Sequence, residues 1–393
     1  MKSILFVNTQ FSTTKSNLLH SQLFSKAKEI NKLGVTIHYF GCDYPNNNDE
    51  TKFLKEKYNF ENSSVIETLP KGGVLKLFMN SIRLRSNFRE FIKENYIDIV
   101  YFRNIFDYLI YSKAASEEGI RTLYDSRSLL FSEVRMKGKL GLPFSYIISL
   151  LEKRAIQNSD YLFTVSNKMS NWIKRNWSRE SDFTIPCTCD AENFSFDNDF
   201  RSKIRSQLKW NESNVIAYCG GTSAWQRIDE ILRLFNELYK RNSNYKFLII
   251  TRDTEVILDK LKQIDLPESS YYVIFSEHYM VNKWLSVADA SIVMREKTLV
   301  NEVASPIKIG EYLCLGLPVI CTDGIGDYSN LIYENNAGCI IGDKAEFSEK
   351  CLTIKTMFED LKGAQIRAQE LSKLFTKDVE SKIWAAFINQ ERL

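Results

Sequence analysis

Short apolar runs of strand length alternate with helix-length segments along almost the whole chain. A run that is apolar throughout, and not at every second position, belongs to a strand buried on both faces. Such strands occur in parallel sheets covered by helices. In the first half the runs are Ile4–Val7, Val35–Phe40, Ile97–Phe102, Arg121–Tyr124 and Tyr161–Val165, with helical segments such as Ser21–Leu33 and Phe78–Asn95 between them. Between about Pro186 and Asn214 the texture changes: Asp, Asn, Ser and Phe mix without period, apart from a short helical piece, Phe200–Leu208. The alternation then restarts. Strands are predicted at Val215–Tyr218, Tyr245–Thr251, Val273–Phe275, Ala290–Met294, Pro318–Cys321 and Gly338–Ile341, and helices at Arg227–Lys240, Asn282–Val287 and Ile307–Leu315. The pattern predicts an α/β fold in two domains, which 393 residues amply supply. Residues 1–190 are expected to form the first and 191–378 the second. An amphipathic helix within 379–393 is expected to return to the first. No short repeat of the solenoid kind is present.

Composition narrows the function classes. Lys and Arg number 52 against 49 Asp and Glu, a net +3 that is too even to point to nucleic acid. The eight cysteines form no CxxC pair, Cys187 and Cys189 make a lone CxC, and the three histidines fit no HxE or HExxH pattern. A metal site is therefore not expected, and the cysteines suit a reducing cytosol. Met1-Lys2 leads straight into a strand-like run with no signal-peptide pattern, and the longest nearly uncharged apolar stretch is Leu140–Leu151. That is short of the ~20 residues a spanning helix needs. A cytoplasmic protein is expected, with peripheral contact to the inner face of the membrane through two basic apolar segments, 71–93 and 135–154. The first holds six basic residues against Glu90, with Leu75, Phe78, Ile82, Phe88 and Ile92 at roughly helical spacing. Solvated faces over ordinary core helices are the alternative.

The most informative stretch runs from Ala288 to Asp327. A strand ends in Arg295, a polar loop leads to Ser305-Pro306, and proline is favoured where a helix begins. The helix from Ile307 carries Lys308 in its first turn and Glu311 one turn deeper, and Gly316-Leu317-Pro318 ends it. A helix N-terminus offers free N–H groups and the positive end of the dipole, so it attracts phosphate. Lys308 adds a full charge at the same place. Glu311 has two acceptor oxygens for the hydroxyls of a ribose. Arg295, at the carboxyl end of the neighbouring strand, faces the crevice where open α/β sheets bind ligands. Together they describe a nucleotide-diphosphate pocket.

Ser305-Pro306-Ile307-Lys308-Ile309-Gly310-Glu311-Tyr312-Leu313, followed by Gly316-Leu317-Pro318-Val319, resembles the donor-binding signature of glycosyltransferase family four. The resemblance implies the GT-B fold, two Rossmann-like domains facing across a cleft, and retention of anomeric configuration. It implies that Glu311 holds the donor ribose, that Lys308 lies beside the diphosphate, and that Ser305, Pro306 and Ile307 contact the donor. The first Glu of the family's pair would fall at Val303, with Glu302 one place away. The turn after Tyr218 is a second donor element: paired glycines there let backbone approach a ligand closely. The family often has cations at two positions of that turn, and Gly221 and Gln226 stand there. Gly220, Gly221 and Gln226 are thus donor-side candidates, and the diphosphate charge falls to Arg295 and Lys308, with Arg227 or Arg252 as helpers. In similar proteins the loop holding His278 lies against the donor base; an ordinary polar loop residue is the alternative.

In the first domain, Arg103-Asn104 and Asp125-Ser126-Arg127 end successive strands, and Glu133 comes six residues later. The run YDSRSLLFSE resembles the DxRG…E stretch of relatives, with Ser128 in place of Gly. Arg103, Asp125, Arg127 and Glu133 are assigned to the acceptor, with a buried ion pair as the alternative at Asp125 and Arg127. The expected function is a metal-independent hexosyltransferase without a cofactor. It would move sugar from a nucleotide-diphosphate-sugar to a glycan or lipid-linked acceptor in surface polysaccharide synthesis. A non-catalytic GT-B subunit and a nucleotide-sugar epimerase or phosphorylase are the rivals.

Overall fold

The computed structural model describes the chain apart from residues 14–18, 44–53, 55, 67–73, 137, 139–140, 192–193 and 392–393. It divides into two units, Met1–Ile185 with Ser381–Leu393, and Pro186–Glu380. The first holds a sheet of seven strands: β1 (Ser3–Ser12), β2 (Thr36–Cys42), β3 (Asn62–Ile66), β4 (Ile99–Phe102), β5 (Arg121–Ser126), β6 (Tyr161–Thr164) and β7 (Phe183–Thr184). The second holds six: β8 (Asn214–Cys219), β9 (Tyr245–Ile250), β10 (Tyr271–Ile274), β11 (Ala290–Val293), β12 (Val319–Thr322) and β13 (Gly338–Ile341). The spatial orders are β3-β2-β1-β4-β5-β6-β7 and β10-β9-β8-β11-β12-β13. All paired strands are parallel. Both sheets are therefore doubly wound, and the order reverses between β1 and β4 in one and between β8 and β11 in the other. Crevices at the carboxyl ends of such strands are where ligands bind.

The apolar runs behave as their composition requires. Ile4, Leu5, Phe6 and Val7 are fully buried, as are Ile99 through Phe102. The edge strands β3 and β7 were not evident from the sequence, because Asn62-Ser63-Ser64 is polar and β7 has only two residues. The single helix expected at Phe78–Asn95 is two helices, Val74–Arg83 and Arg85–Glu94, meeting at the buried Leu84. The first unit ends at Ile185 and not at residue 190, because the chain is already bonded into the second unit beyond it. The Cys187 N–H donates to Ser305 Oγ at 2.9 Å, and the Cys189 N–H to the Phe375 carbonyl at 2.7 Å.

The two segments expected at a membrane have different fates. Lys71 and residues 139–140 lie outside the described residues. In Arg85–Glu94 the apolar side is core: Phe88 is fully buried against Phe40 and Tyr111, and Ile92 is buried too. Two of its three cations are also occupied, Arg89 with Glu117 and Lys93 with Glu118. The membrane expectation therefore loses this helix. Leu75, Met79 and Ile82 on Val74–Arg83 are exposed, as are Leu142, Phe144, Tyr146, Ile147 and Leu150 on the helix Gly141–Asn158. Among the described residues no helix is long and apolar enough to cross a membrane.

The last helix, Lys377–Gln390, ends the chain by filling the first unit's core. Trp384 is fully buried, with its ring 5.2 Å from Phe163 and 6.2 Å from Tyr101, and Phe387 and Ile388 join the same cluster. Trp384→Ala is expected to destabilise the first unit by about 3–5 kcal/mol, measured by denaturant unfolding, because the cavity would be surrounded by rigid rings.

Candidate functional site

At the β8/β11 switch point the backbone leaves β8 through Cys219-Gly220-Gly221. The turn is fixed by side chains around it. The Tyr218 hydroxyl, from the end of β8, donates to the Gly221 carbonyl at 2.5 Å and meets Gln226 Oε1. The Thr222 N–H and hydroxyl both donate to Asp253 Oδ2, at 2.8 and 2.9 Å. The Tyr312 hydroxyl accepts from the Cys219 N–H at 3.1 Å. A Cβ on Gly220 would stand 2.5 Å from Gln226 Oε1 and 2.6 Å from the Tyr218 hydroxyl, so a side chain there would displace the groups that brace the turn.

The helix Ile307–Cys314 opens at Pro306, and no side chain caps it. Its first N–H groups therefore keep their donor capacity toward a ligand. Lys308 reaches the Gly turn: its Nζ donates to the Cys219 carbonyl at 2.6 Å. Glu311 is buried on the same helix, and burial pushes its carboxyl up from the usual range while Lys308 and His278 pull it down. His278 itself is exposed, on the short turn after β10. Arg295 comes just after β11. Its N–H donates to Thr322 Oγ1 at 3.0 Å, the same hydroxyl returns a bond to its carbonyl, and its guanidinium donates to Asn301 Oδ1 at 3.2 Å. Burial lowers its pKa, while the Tyr218 and Tyr312 hydroxyls beside it act in the opposite direction. Neither Arg295 nor Lys308 has a carboxylate ion-pair partner among the described residues. A half-buried cation without a counter-ion is costly unless an anion comes to it.

The structure thus brings together Arg295, Lys308, Glu311, His278 and the Gly220-Gly221 turn, all on the second unit. Other expected donor residues are placed differently. Arg227 is occupied by ion pairs to Glu230 and Asp343, so it is not a spare cation. Ser305 Oγ serves the Cys187 N–H, and Gln226 braces Tyr218. Arg252 is exposed just after β9. Val303 is buried, and Glu302 lies near Gly324 and Lys297. Sequence reasoning missed the supports Tyr218, Tyr312, Asp253, Asn301 and Thr322. Two of them carry a signal, since Tyr218 and Thr322 are polar-ended residues closing otherwise apolar strands.

Residues 213–356 match the family of glycosyl transferases group 1. The match lies within the second unit. Solved structures resemble the whole chain. Sucrose-phosphate synthase from Thermosynechococcus elongatus is 13% identical with a TM-score of 0.77, the match covering 99% of each chain. HepE from Anabaena, in complex with UDP and glucose, is 13% identical with a TM-score of 0.66 over 100% of this chain and 99% of that one. WaaG, a glycosyltransferase involved in lipopolysaccharide biosynthesis, is 13% identical with a TM-score of 0.65 over 97% and 99%. These likenesses establish the fold as GT-B, with two Rossmann-like domains. No curated protein matches the chain.

The first unit has its own cavity at the β1/β4 switch point. It encloses about 330 Å³ and is lined among others by Gln10, Phe11, Arg103, Asn104, Arg127 and Glu152. Two expected acceptor residues, Arg103 and Arg127, are there. Arg103 also donates to Gln22, and Arg127 donates to the Ile185 carbonyl at 2.9 Å. Asp125 is different. It is fully buried, 3.0 Å from Lys26 Nζ and 3.5 Å from Arg127, and it accepts from the Tyr101 hydroxyl. Burial pushes its carboxyl up, but Lys26 and Arg127 outweigh that and hold it well below the usual carboxylate range. At Asp125 the arrangement is the buried ion pair, with no surface for a ligand. Glu133 is half-buried on the helix Leu130–Arg135.

Glu152, on the helix Gly141–Asn158, was not anticipated. It shares a helical face with the buried Ser145, Ala155 and Ile156, and that spacing was the available signal. Its carboxylate takes the N–H groups of Leu130 at 2.7 Å and Phe131 at 3.0 Å. Burial still pushes its pKa up from 4.5 to about 7. The folded state thus holds this proton where the unfolded chain releases it. Stability is expected to fall as pH rises from about 4.5 to about 7. Glu152→Gln should flatten that slope, as measured by urea unfolding across the same range.

Proposed function

We propose that the protein is a retaining glycosyltransferase that moves a sugar from a nucleotide-diphosphate-sugar to a glycan or lipid-linked acceptor. The observation that carries this is the pair of cations, Arg295 and Lys308, without a carboxylate ion pair among the described residues, beside an uncapped helix N-terminus at the β8/β11 switch point. As the glycosidic bond to the donor breaks, negative charge grows on the diphosphate. Fixed positive groups at that spot stabilise the transition state more than the ground state. Glu311, one turn into the helix, takes the ribose hydroxyls, and the Gly220-Gly221 turn gives the phosphates close access to backbone. The charge is assigned to these side chains and not to a resident metal. A UDP-sugar is the first donor to test, because the similar HepE was solved with UDP and glucose.

Surface polysaccharide synthesis is the setting that fits a lipid-linked acceptor, as for the similar WaaG. The exposed Leu142, Phe144, Tyr146, Ile147 and Leu150 offer an apolar face, with Lys153 and Arg154 further along the same helix. Such a face suits peripheral contact with an anionic bilayer.

Calorimetry with a panel of UDP-, GDP-, ADP- and dTDP-sugars tests the donor reading. At least one should bind, also in the presence of EDTA. Lys308→Ala and Arg295→Ala should each weaken binding about tenfold or more, the worth of a charge-assisted hydrogen bond to phosphate. A non-catalytic subunit would bind none of them. Conversion of the donor into an epimeric nucleotide-sugar, with no sugar transferred, would favour an epimerase. With a working acceptor, proton NMR of the product should show the donor's anomeric configuration.

A further inference from the structure

The Cys187-Thr188-Cys189 motif, which the candidate donor site does not use, runs along the helix Ile307–Cys314. Cys187 is bonded near the start of that helix, through Ser305. Cys189 is buried, and its N–H bond to Phe375 and its bridge to Thr376 hold its backbone. Its side chain packs on the helix at Gly310, where a Cβ would stand 3.8 Å from the Cys189 Cβ. Cys314 is one turn further along the same helix face and packs on the same apolar cluster. There the two thiols are hydrogen-bonded to each other, with the Ser372 hydroxyl in reach of Cys314 Sγ. That hydroxyl donates to the Gln369 carbonyl at 2.7 Å, and its proton can rotate to a thiolate.

A thiol reacts as its thiolate, so a reactive cysteine needs a lowered pKa and a path to solvent. Cys314 has both. The bond from Cys189 lowers its pKa against the effect of burial; Ser372 helps, and Glu311 and Asp190 oppose. It is half-buried and lines a cavity of about 700 Å³, beside Phe194, Phe196 and the helix Leu361–Ser372. Lys362 and Lys373 also line it, the second paired with Glu370 at 2.5 Å, and no carboxylate does among the described residues. Cys189 behaves oppositely: its bond to Cys314 and its burial hold its pKa far above the usual thiol range, so it keeps its proton. Burial also pushes up the thiols of Cys219, Cys321, Cys339 and Cys351. Two thiols fall short of the four ligands of a structural zinc, and no third His, Cys, Asp or Glu joins them among the described residues.

We propose that Cys314 and Cys189 are a redox-active pair, Cys314 the site at which a peroxide oxidises the protein and Cys189 the thiol that resolves it. The Cys314 thiolate attacks one oxygen of hydrogen peroxide. An S–O bond forms, the O–O bond breaks, and hydroxide leaves and takes a proton from solvent. Cys189 then attacks the sulfenic sulfur. The S–S bond forms, the S–O bond breaks, and the Cys189 proton leaves with the hydroxide as water. Two thiols and one peroxide thus give one disulfide and two waters. The disulfide ties the helix Ile307–Cys314 to the segment that opens the second unit, and it stops Cys314 short of irreversible oxidation. Such a pair suits a reducing compartment, where disulfides are transient. None of this depends on the glycosyltransferase reading.

Mass spectrometry of the reduced, folded full chain exposed to hydrogen peroxide tests the pair. The native chain should lose about 2 Da, yield a Cys189–Cys314 cross-linked peptide, and recover with dithiothreitol. Cys189→Ser should form no disulfide. Its Cys314 should be captured by dimedone, a sulfenic-acid trap, and without the trap should gain about 32 Da as sulfinic acid. Cys314→Ser should leave Cys189 unmodified. Oxidation should raise the urea midpoint of the native chain and not that of Cys314→Ser, because closing a long loop constrains the unfolded chain. An unreactive Cys314 in the native chain, a result that needs no variant to fold, would overturn the proposal. So would a disulfide made through Cys187, a dimedone adduct on Cys189, or a midpoint that does not rise.

Discussion

The bond from Lys308 Nζ to the Cys219 carbonyl, 2.6 Å long, joins the two pieces of chain on which the candidate donor site depends. One is the glycine turn leaving β8, and the other is the first turn of the helix Ile307–Cys314. Tyr312 repeats the connection one turn deeper, through its hydroxyl to the Cys219 N–H. The glycine turn thus cannot shift without moving the helix. Lys308 spends one of its three donors on this carbonyl and directs a second at Cys219 Sγ, 3.5 Å away, which leaves a third and is how a lysine can be both a brace and a ligand group. Arg295 is braced similarly, its backbone clamped to Thr322 and its guanidinium steadied by Asn301, a fully buried residue. Positive charge held by neutral supports, with no carboxylate ion-paired to it among the described residues, is charge kept for an anion.

Topology decides where such charge can be used. In a doubly wound sheet the helices after the first and fourth strands turn to opposite faces, and the backbone opens a crevice between them. Both units have that strand order, so each has one crevice, and the functional side chains cluster there. The rest of each unit is core. The fully buried runs of β1 and β4, and the aromatic cluster around Trp384, keep strand ends fixed in register so that a few residues beyond them can be placed accurately.

Much of this was legible in the sequence because it is a consequence of burial. Strands that are apolar on both faces announce a parallel sheet, and Pro306-Ile307-Lys308 announces a helix start with a cation in it. The illegible features depend on partners distant in the chain. Asp125 looked like a ligand residue at a strand end, but Lys26, 99 residues away, and Arg127 claim it inside the fold. Arg227 looked like a spare cation until Asp343, 116 residues away, paired with it. Phe88 and Ile92 had the spacing of a membrane face, and an amphipathic pattern cannot say whether a bilayer or a core receives its apolar side. Glu152 was hidden for the opposite reason: a lone carboxylate next to a leucine-rich stretch looks like a surface residue until its helix face is known.

The two crevices share strand order and differ in the residues that leave the first strand, and that difference assigns their work. After β8 come Gly220 and Gly221, where a Cβ at the first would displace Gln226 and Tyr218, so the turn presents backbone with Lys308 bonded to it. At the corresponding part of β1 stand Thr9 and Gln10, whose side chains are tied to Asp107 and Ser81 and leave one amide oxygen facing a cavity with aromatic walls. Bare backbone with positive charge suits phosphate, which has only acceptors. The cavity beside β1 sets a fixed amide oxygen and a carboxylate against the guanidiniums of Arg103 and Arg127, a mixed lining of acceptors and donors. One repeated architecture can therefore present two different surfaces, because substitution at two positions changes the loop's chemistry without changing the sheet beneath it.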